Sequence, residues 1–156
     1  MKYALDTNIF IDGFRNEAAQ AEVFAFLRRA LPFTYLSAVV MQELAAGARS
    51  ADGARDVQQG VFEPFERRRR VFAPSSAAFA ESGRVLAAVA AREGWQLFDE
   101  KPSLLNDALI AASCREQGIT LITRDADFKR LAPFVRGFRY SAPWPTDDRT
   151  DEGPLG

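Results

Sequence analysis

The sequence predicts an α/β protein, a three-layer α/β/α sandwich with a mainly parallel central sheet. Short apolar runs alternate along the chain with longer segments of helical periodicity, which is typical of that class. The runs are continuous rather than alternating, which indicates strands buried on both faces of a parallel sheet. The chain of 156 residues is long enough for about one domain. We assign residues 1–142 to it, and we expect the acidic, proline-containing tail 143–156 to be disordered or draped on the surface.

In the first half of the chain, each element is predicted from apolar spacing and from the residues that begin or end it. The predicted elements are a strand at 3–5, a helical turn at 9–11 closed by Asp12 and Gly13, a helix over 17–30, a strand at 34–36 and a helix over 38–48. Pro32 follows the helix over 17–30 and ends it, because proline cannot continue a helix. Ser37 is expected to cap the helix over 38–48 with its hydroxyl.

The second half continues the alternation. The predicted elements are an irregular helix over 51–66 with Val57, Val61 and Phe65 inward, a strand at 71–73, a long helix from 76 with Phe79, Leu86 and Val89 on its core face, a loop over 95–102, a helix over 104–117, and strands at 120–123 and 137–140. Gly94 is expected just beyond the end of the long helix, where a left-handed residue is favoured. Ser103 is expected to cap the helix over 104–117.

Two residue counts limit the chemistry of any site. The chain has no histidine, which excludes histidine triads, histidine acid–base catalysis and the usual transition-metal sites. Its single cysteine, Cys114, excludes an internal disulfide and a multi-cysteine zinc site. The carboxylates that remain favour hard cations such as Mg²⁺ or Mn²⁺.

Charge and hydropathy limit the partners. The net charge of -1 and the pI of about 5.6 give the whole molecule no general attraction for polyanions, so a nucleic acid would bind a local basic patch. No apolar run approaches the ~20 residues of a membrane span, and Asp6 interrupts any would-be signal peptide. We therefore expect a cytoplasmic protein without a membrane partner.

Four carboxylates stand where a ligand is expected. Asp6 and Asp125 follow predicted strands, at the sheet edge where ligands of open α/β sheets bind. Asp107 lies near the N-terminal end of an almost wholly buried helix, where the helix dipole favours negative charge. The fourth, Glu43, falls on the apolar face of its helix, and burying an unpaired carboxylate costs several kcal/mol. That face is predicted to carry Val39, Val40, Glu43, Ala46 and Gly47.

Divalent cations are the simplest explanation for this arrangement. Four like charges in one crevice would raise one another's pKa values unless cations neutralised them. One or two Mg²⁺ ions could generate a hydroxide and clamp the attacking and leaving oxygens of a phosphodiester displacement. Taken singly, each acid also has an ordinary interpretation as a turn former, a helix cap, a first-turn dipole partner or a surface acid.

The same stretches resemble the acidic motifs of PIN-domain ribonucleases, and most closely the VapC toxins of bacterial and archaeal toxin–antitoxin pairs. The order and spacing of the blocks make the resemblance specific, and it spans roughly residues 1–140. The four blocks are Leu5-Asp6-Thr7-Asn8, Met41-Gln42-Glu43-Leu44, Asn106-Asp107-Ala108-Leu109-Ile110-Ala111-Ala112 and Thr123-Arg124-Asp125-Ala126-Asp127-Phe128.

The resemblance implies a Mg²⁺- or Mn²⁺-dependent endoribonuclease, usually a homodimer, silenced by an antitoxin that inserts a segment into the active-site groove. It makes Asp6 and Asp107 the principal metal ligands, with Glu43 and Asp125 completing an acidic quartet directly or through water. Asp127 is the alternative to Asp125 as fourth acid. The orienting residues implied are Thr7, Asn8 and Thr123.

Other charged and aromatic residues have two interpretations each. Arg124 and Lys101 would contact RNA phosphates near the acids, or they are solvated loop charges. The run Arg67–Arg70 complements a helix C-terminus, or it contacts RNA or antitoxin. Trp95 and Trp144 stack on bases, or they pack in the core or an interface.

Three further functions compete with the toxin. The first is a PIN nuclease of RNA processing that has no antitoxin, and the second is a PIN-like binding scaffold without catalysis. A phosphotransferase with an aspartyl nucleophile is the weakest, because Asp6-Thr7-Asn8 lacks a second aspartate two residues on.

Overall fold

The computed structural model describes residues 1–145. Its five strands form one sheet in the order β3-β2-β1-β4-β5, and every neighbouring pair is parallel. The strands are β1 Lys2–Leu5, β2 Thr34–Ser37, β3 Val71–Phe72, β4 Ile119–Ile122 and β5 Arg139–Ser141. The predicted α/β/α class with a mainly parallel sheet is confirmed. Because all strands run the same way, their carboxyl ends meet at one edge.

The centre of the sheet is the most deeply buried part of the molecule. Ala4 of β1 pairs with Tyr35 of β2 and Leu121 of β4, and Ala4 and Leu121 are fully buried. A strand covered on both faces can hold only apolar side chains without a cost, which explains its continuous apolar run. Asp6 and Thr123 follow directly after these two central strands, so their polar side chains begin where the core ends.

The helices agree closely with the predicted boundaries. They are α1 Thr7–Arg15, α2 Glu17–Ala30, α3 Ala38–Gly47, α4 Ala51–Val57, α5 Glu63–Arg67, α6 Ser76–Glu93, α7 Leu97–Glu100, α8 Leu104–Gln117 and α9 Phe128–Leu131. Two short helices, α7 and α9, were not predicted. Among the predicted helices, α1 differs most, because it was predicted to close at Asp12 and Gly13. Asn16 ends it instead, since its N–H donates to the Asp12 carbonyl and its side chain accepts the Ala19 N–H to cap α2.

Three local predictions are wrong. Phe79 was predicted on the core face of α6 but is 56% exposed, because that face is carried by Ala78, Val85 and Val89. Ser103 makes no capping bond, because the chain enters α8 from a helical turn and Ser103 already has helical backbone angles. The predicted loop at 95–102 contains the short helix α7.

The predicted irregular helix is confirmed. It consists of α4 and α5 joined by a π-helical turn at Gln58–Phe62, and Val57, Val61 and Phe65 are buried. At the end of α5, the Arg68 guanidinium donates to the Pro64 carbonyl at 2.8 Å, and the Arg67 guanidinium donates to the Glu63 carboxylate at 3.1 Å. These bonds are those of arginines that stabilise a helix C-terminus, which favours that interpretation of the arginine run.

The start of the predicted tail packs on the domain. Trp144 stacks on Phe26 with ring centroids 5.0 Å apart, and its indole N–H donates to Glu22 at 3.1 Å. Trp144 thus packs against the protein, in agreement with one of its two interpretations. Residues 146–156 of the predicted tail lie outside the described residues. No helix within residues 1–145 has both the length and the apolarity to cross a membrane.

Candidate metal centre

Asp6 is fixed at the junction of the central strand and the first helix. Its Oδ1 accepts the Thr7 backbone N–H at 2.8 Å, which caps α1, and its Oδ2 accepts the Thr123 hydroxyl at 2.6 Å. The residue is only 4% exposed. Burial raises the pKa of Asp6 to about 6 despite the two hydrogen bonds, and the negative charges of Glu43 and Asp125 add to the rise.

A single hydroxyl connects Asp6 to the loop that carries the last two acids. Thr123 donates to Asp6 and accepts the Asp125 backbone N–H at 2.9 Å. Its own N–H donates to the Ser141 carbonyl at 3.0 Å, which holds it to β5. Thr123, which was predicted to orient the acids, therefore contacts both Asp6 and the segment of Asp125.

Glu43 reaches the same place from α3. Its Oε1 accepts the Thr7 hydroxyl at 2.9 Å, so Thr7 contacts both Asp6 and Glu43. Glu43 is half-buried rather than buried, because the predicted apolar face holds only in the first turns of α3. Ala46 and Gly47 are exposed at its end, whereas Val39 and Val40 are buried.

Asp107 is the least satisfied polar group of the described chain. It lies in the first turn of α8 and is 5% exposed, and its Oδ2 has no hydrogen-bond partner within residues 1–145. Burial raises its pKa to about 8, and the charges of Asp6, Asp125, Glu43 and Asp127 raise it in that order. A buried carboxylate left without a partner costs roughly 1–3 kcal/mol or more.

Asp107, Asp125 and Asp127 form a compact cluster, in which one carboxylate oxygen from each residue lies within 4.8 Å of the others. Asp125 accepts the Asp127 backbone N–H at 2.8 Å. Asp127 is bound by Lys101 at 3.3 Å and by Arg130 at 2.5 Å. Both candidates for the fourth acid therefore lie close to Asp107, but within residues 1–145 only Asp127 is paired with cations.

The donor set fits a hard divalent cation. Every converging ligand atom is a carboxylate or hydroxyl oxygen, which is the environment that Mg²⁺ and Mn²⁺ prefer. The free Oδ2 of Asp107 is an acceptor that the folded chain leaves open. The pKa rises at Asp6 and Asp107 come first from burial and then from the neighbouring carboxylates, and a bound cation would offset both causes.

The remaining predicted residues stand at the rim. Asn8 Oδ1 lies 3.5 Å from the Arg124 backbone N–H. The Arg124 guanidinium turns toward α1 and α2, where it pairs with Asp12 at 3.3 Å and Glu22 at 3.5 Å. Arg130 was not predicted as part of the site, although its position three residues after Asp127 was the available signal.

The protein-family model described as the PIN domain matches residues 3–133 of the sequence. The chain belongs to the PIN domain family. The resemblance predicted from the four acidic motifs is thus confirmed for the family. Among curated proteins no match is found.

Similar solved structures share the PIN domain fold over nearly the whole chain. DNA-bound VapBC from Salmonella typhimurium is 23% identical, with a TM-score of 0.66, over 91% of this chain and 98% of that one. VapBC2 from Rickettsia felis, bound to promoter DNA, is 19% identical, with a TM-score of 0.60, over 93% and 100%. A toxin–antitoxin complex from Klebsiella pneumoniae is 24% identical, with a TM-score of 0.58, over 93% and 100%.

Proposed function

We propose that this PIN domain protein is a Mg²⁺- or Mn²⁺-dependent endoribonuclease that acts in the cytoplasm as the toxin of a toxin–antitoxin pair. The observation that carries the proposal is the buried Asp107 carboxylate, which keeps one oxygen free beside Asp125 and Asp127. Family membership supports a nuclease. Likeness to complexes described as VapBC or as toxin–antitoxin supports the biological role. That the protein forms a homodimer is proposed from the motif resemblance alone.

Each acid has a defined part in this proposal. Asp6 and Asp107 would be the principal ligands of the ion, and Glu43 and Asp125 would complete the site directly or through water. The ion, when bound, supplies Lewis-acid activation of water and neutralises charge on the scissile phosphate. The protein supplies orientation: Thr7 fixes Asp6 relative to Glu43, and Thr123 fixes Asp6 relative to the loop of Asp125.

The proposal is tested by cleavage of structured RNA by the purified protein in Mg²⁺. We expect cleavage that EDTA abolishes and that Asp6→Asn reduces by about a thousandfold, because one principal ligand is lost. Asp52→Asn, at an exposed position on α4, is the matched control and should cleave normally. Sequencing of RNA 5′ ends after induction would identify the substrate. Equal cleavage by Asp6→Asn and the parent protein would refute the mechanism.

An apolar groove beside the acids fits the proposed antitoxin. Two adjoining cavities of about 570 and 580 Å³ share Phe14 and Asp56 and form this groove. The first lies between α1, α2 and the α4–α5 segment, and the second lies between α1, α3 and α4. Phe14 and Phe24 are 45% and 55% exposed in it. The groove also reaches Glu43, so a partner segment with apolar residues and a basic end would complement both its surface and its acids.

We expect Phe24→Lys to remain active but to escape the partner protein. The change removes an exposed apolar anchor and adds a charge, which should weaken the complex about a hundredfold. Phe79→Lys is the control, since Phe79 is 56% exposed on α6 and does not line the groove. Growth during co-expression and the affinity of the purified pair measure the effect. Equal rescue of both variants by the partner would exclude the groove.

A further inference from the structure

Two cations contact the acidic cluster, and both bind the same residue. Lys101 Nζ lies 3.3 Å from Oδ2 of Asp127, and Arg130 lies 2.5 Å from its Oδ1. Both oxygens of Asp127 are thus neutralised by the protein. Among residues 1–145, Asp107 and Asp125 have no such ion pair.

The two cations are held very differently. Arg130 is 26% exposed and also pairs with Glu93 at 2.8 Å, so a second acid fixes its guanidinium. Lys101 has Asp127 as its one ion-pair partner in the described chain, and its side chain is 43% exposed. Its backbone is anchored, because its N–H donates to the Leu97 carbonyl at 2.8 Å. The Lys101 ammonium can therefore move while its Cα stays in place.

We propose that Lys101 serves two partners in turn, Asp127 in the free protein and a backbone phosphate of the RNA in the complex. The proposal rests on the proposed function and adds a positioning residue to it. Arg130 remains on Asp127 throughout and keeps the loop of Asp125 in place. Lys101 thus competes with a divalent ion for the acidic cluster before loading and assists the substrate afterwards.

The physical reason is that the electrostatic potential around the Lys101 ammonium changes sign when a divalent ion binds. In the free protein Lys101 faces an excess of carboxylates, which attracts it. A divalent ion at the neighbouring oxygens would repel it, because like charges a few ångströms apart repel strongly where water is partly excluded. A phosphate oxygen at the same rim then offers a charge-assisted hydrogen bond to a lysine that keeps three donors.

The test compares Lys101→Met with Lys129→Met, which removes an exposed lysine on α9 that has no ion pair in the described chain. Mn²⁺ affinity is measured by calorimetry without RNA, and kcat and KM are measured with structured RNA at saturating Mg²⁺. For Lys101→Met we expect Mn²⁺ to bind about fivefold more tightly, since a competing cation is gone. We expect kcat/KM to fall about tenfold, mainly through KM.

These opposite signs separate positioning from a structural role, which would weaken both metal and RNA binding. Lys129→Met should change neither value by more than about twofold. The inference is overturned if Mn²⁺ affinity of Lys101→Met is unchanged or lower, or if its KM equals that of Lys129→Met. If the parent protein itself neither binds Mn²⁺ nor cleaves RNA, the proposed function fails and this inference falls with it.

Discussion

Asp107→Asn should abolish cleavage and at the same time make the metal-free protein more stable. Asparagine keeps the shape of the side chain but cannot ionise, at a position that is only 5% exposed. The loss of a principal ligand should lower the cleavage rate by about a thousandfold. The free energy of unfolding without metal should rise by about 2 kcal/mol, because a carboxylate with an unpartnered oxygen no longer has to be buried.

The two effects are measured on one preparation, by RNA cleavage in Mg²⁺ and by urea unfolding in EDTA. Asp99→Asn is the matched control, because Asp99 is exposed on α7 and should leave both values unchanged. Loss of cleavage with loss of stability would mean that Asp107 supports the fold rather than a metal. Full cleavage by Asp107→Asn would remove Asp107 from the site.

Asp6, Asp107 and Asp125 could be placed in the fold from the sequence because each lies near the end of a strand or the start of a helix, which local chemistry sets. Asp6 follows a strand whose last three residues, Tyr3, Ala4 and Leu5, are buried, and the neighbours of Asp107 on its helix, Ala108, Ile110 and Ala111, are fully buried. An apolar run that stops at a carboxylate is visible without coordinates. The topology rule that parallel strands share one carboxyl edge then brings these positions together.

The sequence could not predict how the acids divide into two groups. Hydrogen bonds from Thr7 and to and from Thr123 link Asp6, Glu43 and the Asp125 loop. Asp107, Asp125 and Asp127 instead bring one carboxylate oxygen each within 4.8 Å of the others. Which acids lie close together depends on side-chain distances between elements that are far apart in the chain. The Lys101–Asp127 pair, 26 residues apart, has no periodicity that would reveal it.

Helix faces were predicted less well than helix boundaries. Helix-end residues such as Ser37 and Gly94 act on the backbone locally, whereas the buried face depends on what packs against the helix. Phe79 shows the difference, since a large aromatic residue at the expected spacing is exposed while the small Ala78 faces the core. A helix rich in alanine gives little information on its phase, because small residues tolerate both sides.

The metal-free protein should lose stability as the pH rises, in contrast to most proteins. The pKa values of Asp6 and Asp107 are raised to about 6 and about 8, from 3.8. A raised carboxyl pKa means that the folded state holds protons that the unfolded state has already released. The free energy of unfolding therefore falls between about pH 4 and pH 8 and levels off above it. The expected loss from pH 5 to pH 8 is on the order of 5 kcal/mol.

Mg²⁺ should reverse this trend, because a divalent ion neutralises the carboxylates that otherwise repel one another. The gain in melting temperature on adding Mg²⁺ should thus be large at pH 8 and small at pH 5, where protons occupy the same oxygens. Scanning calorimetry at both pH values, with Mg²⁺ or with EDTA, measures the four conditions. Asp107→Asn should remove most of the pH dependence in EDTA and most of the Mg²⁺ effect. A gain that is equal at both pH values would show that the ion binds elsewhere on the protein.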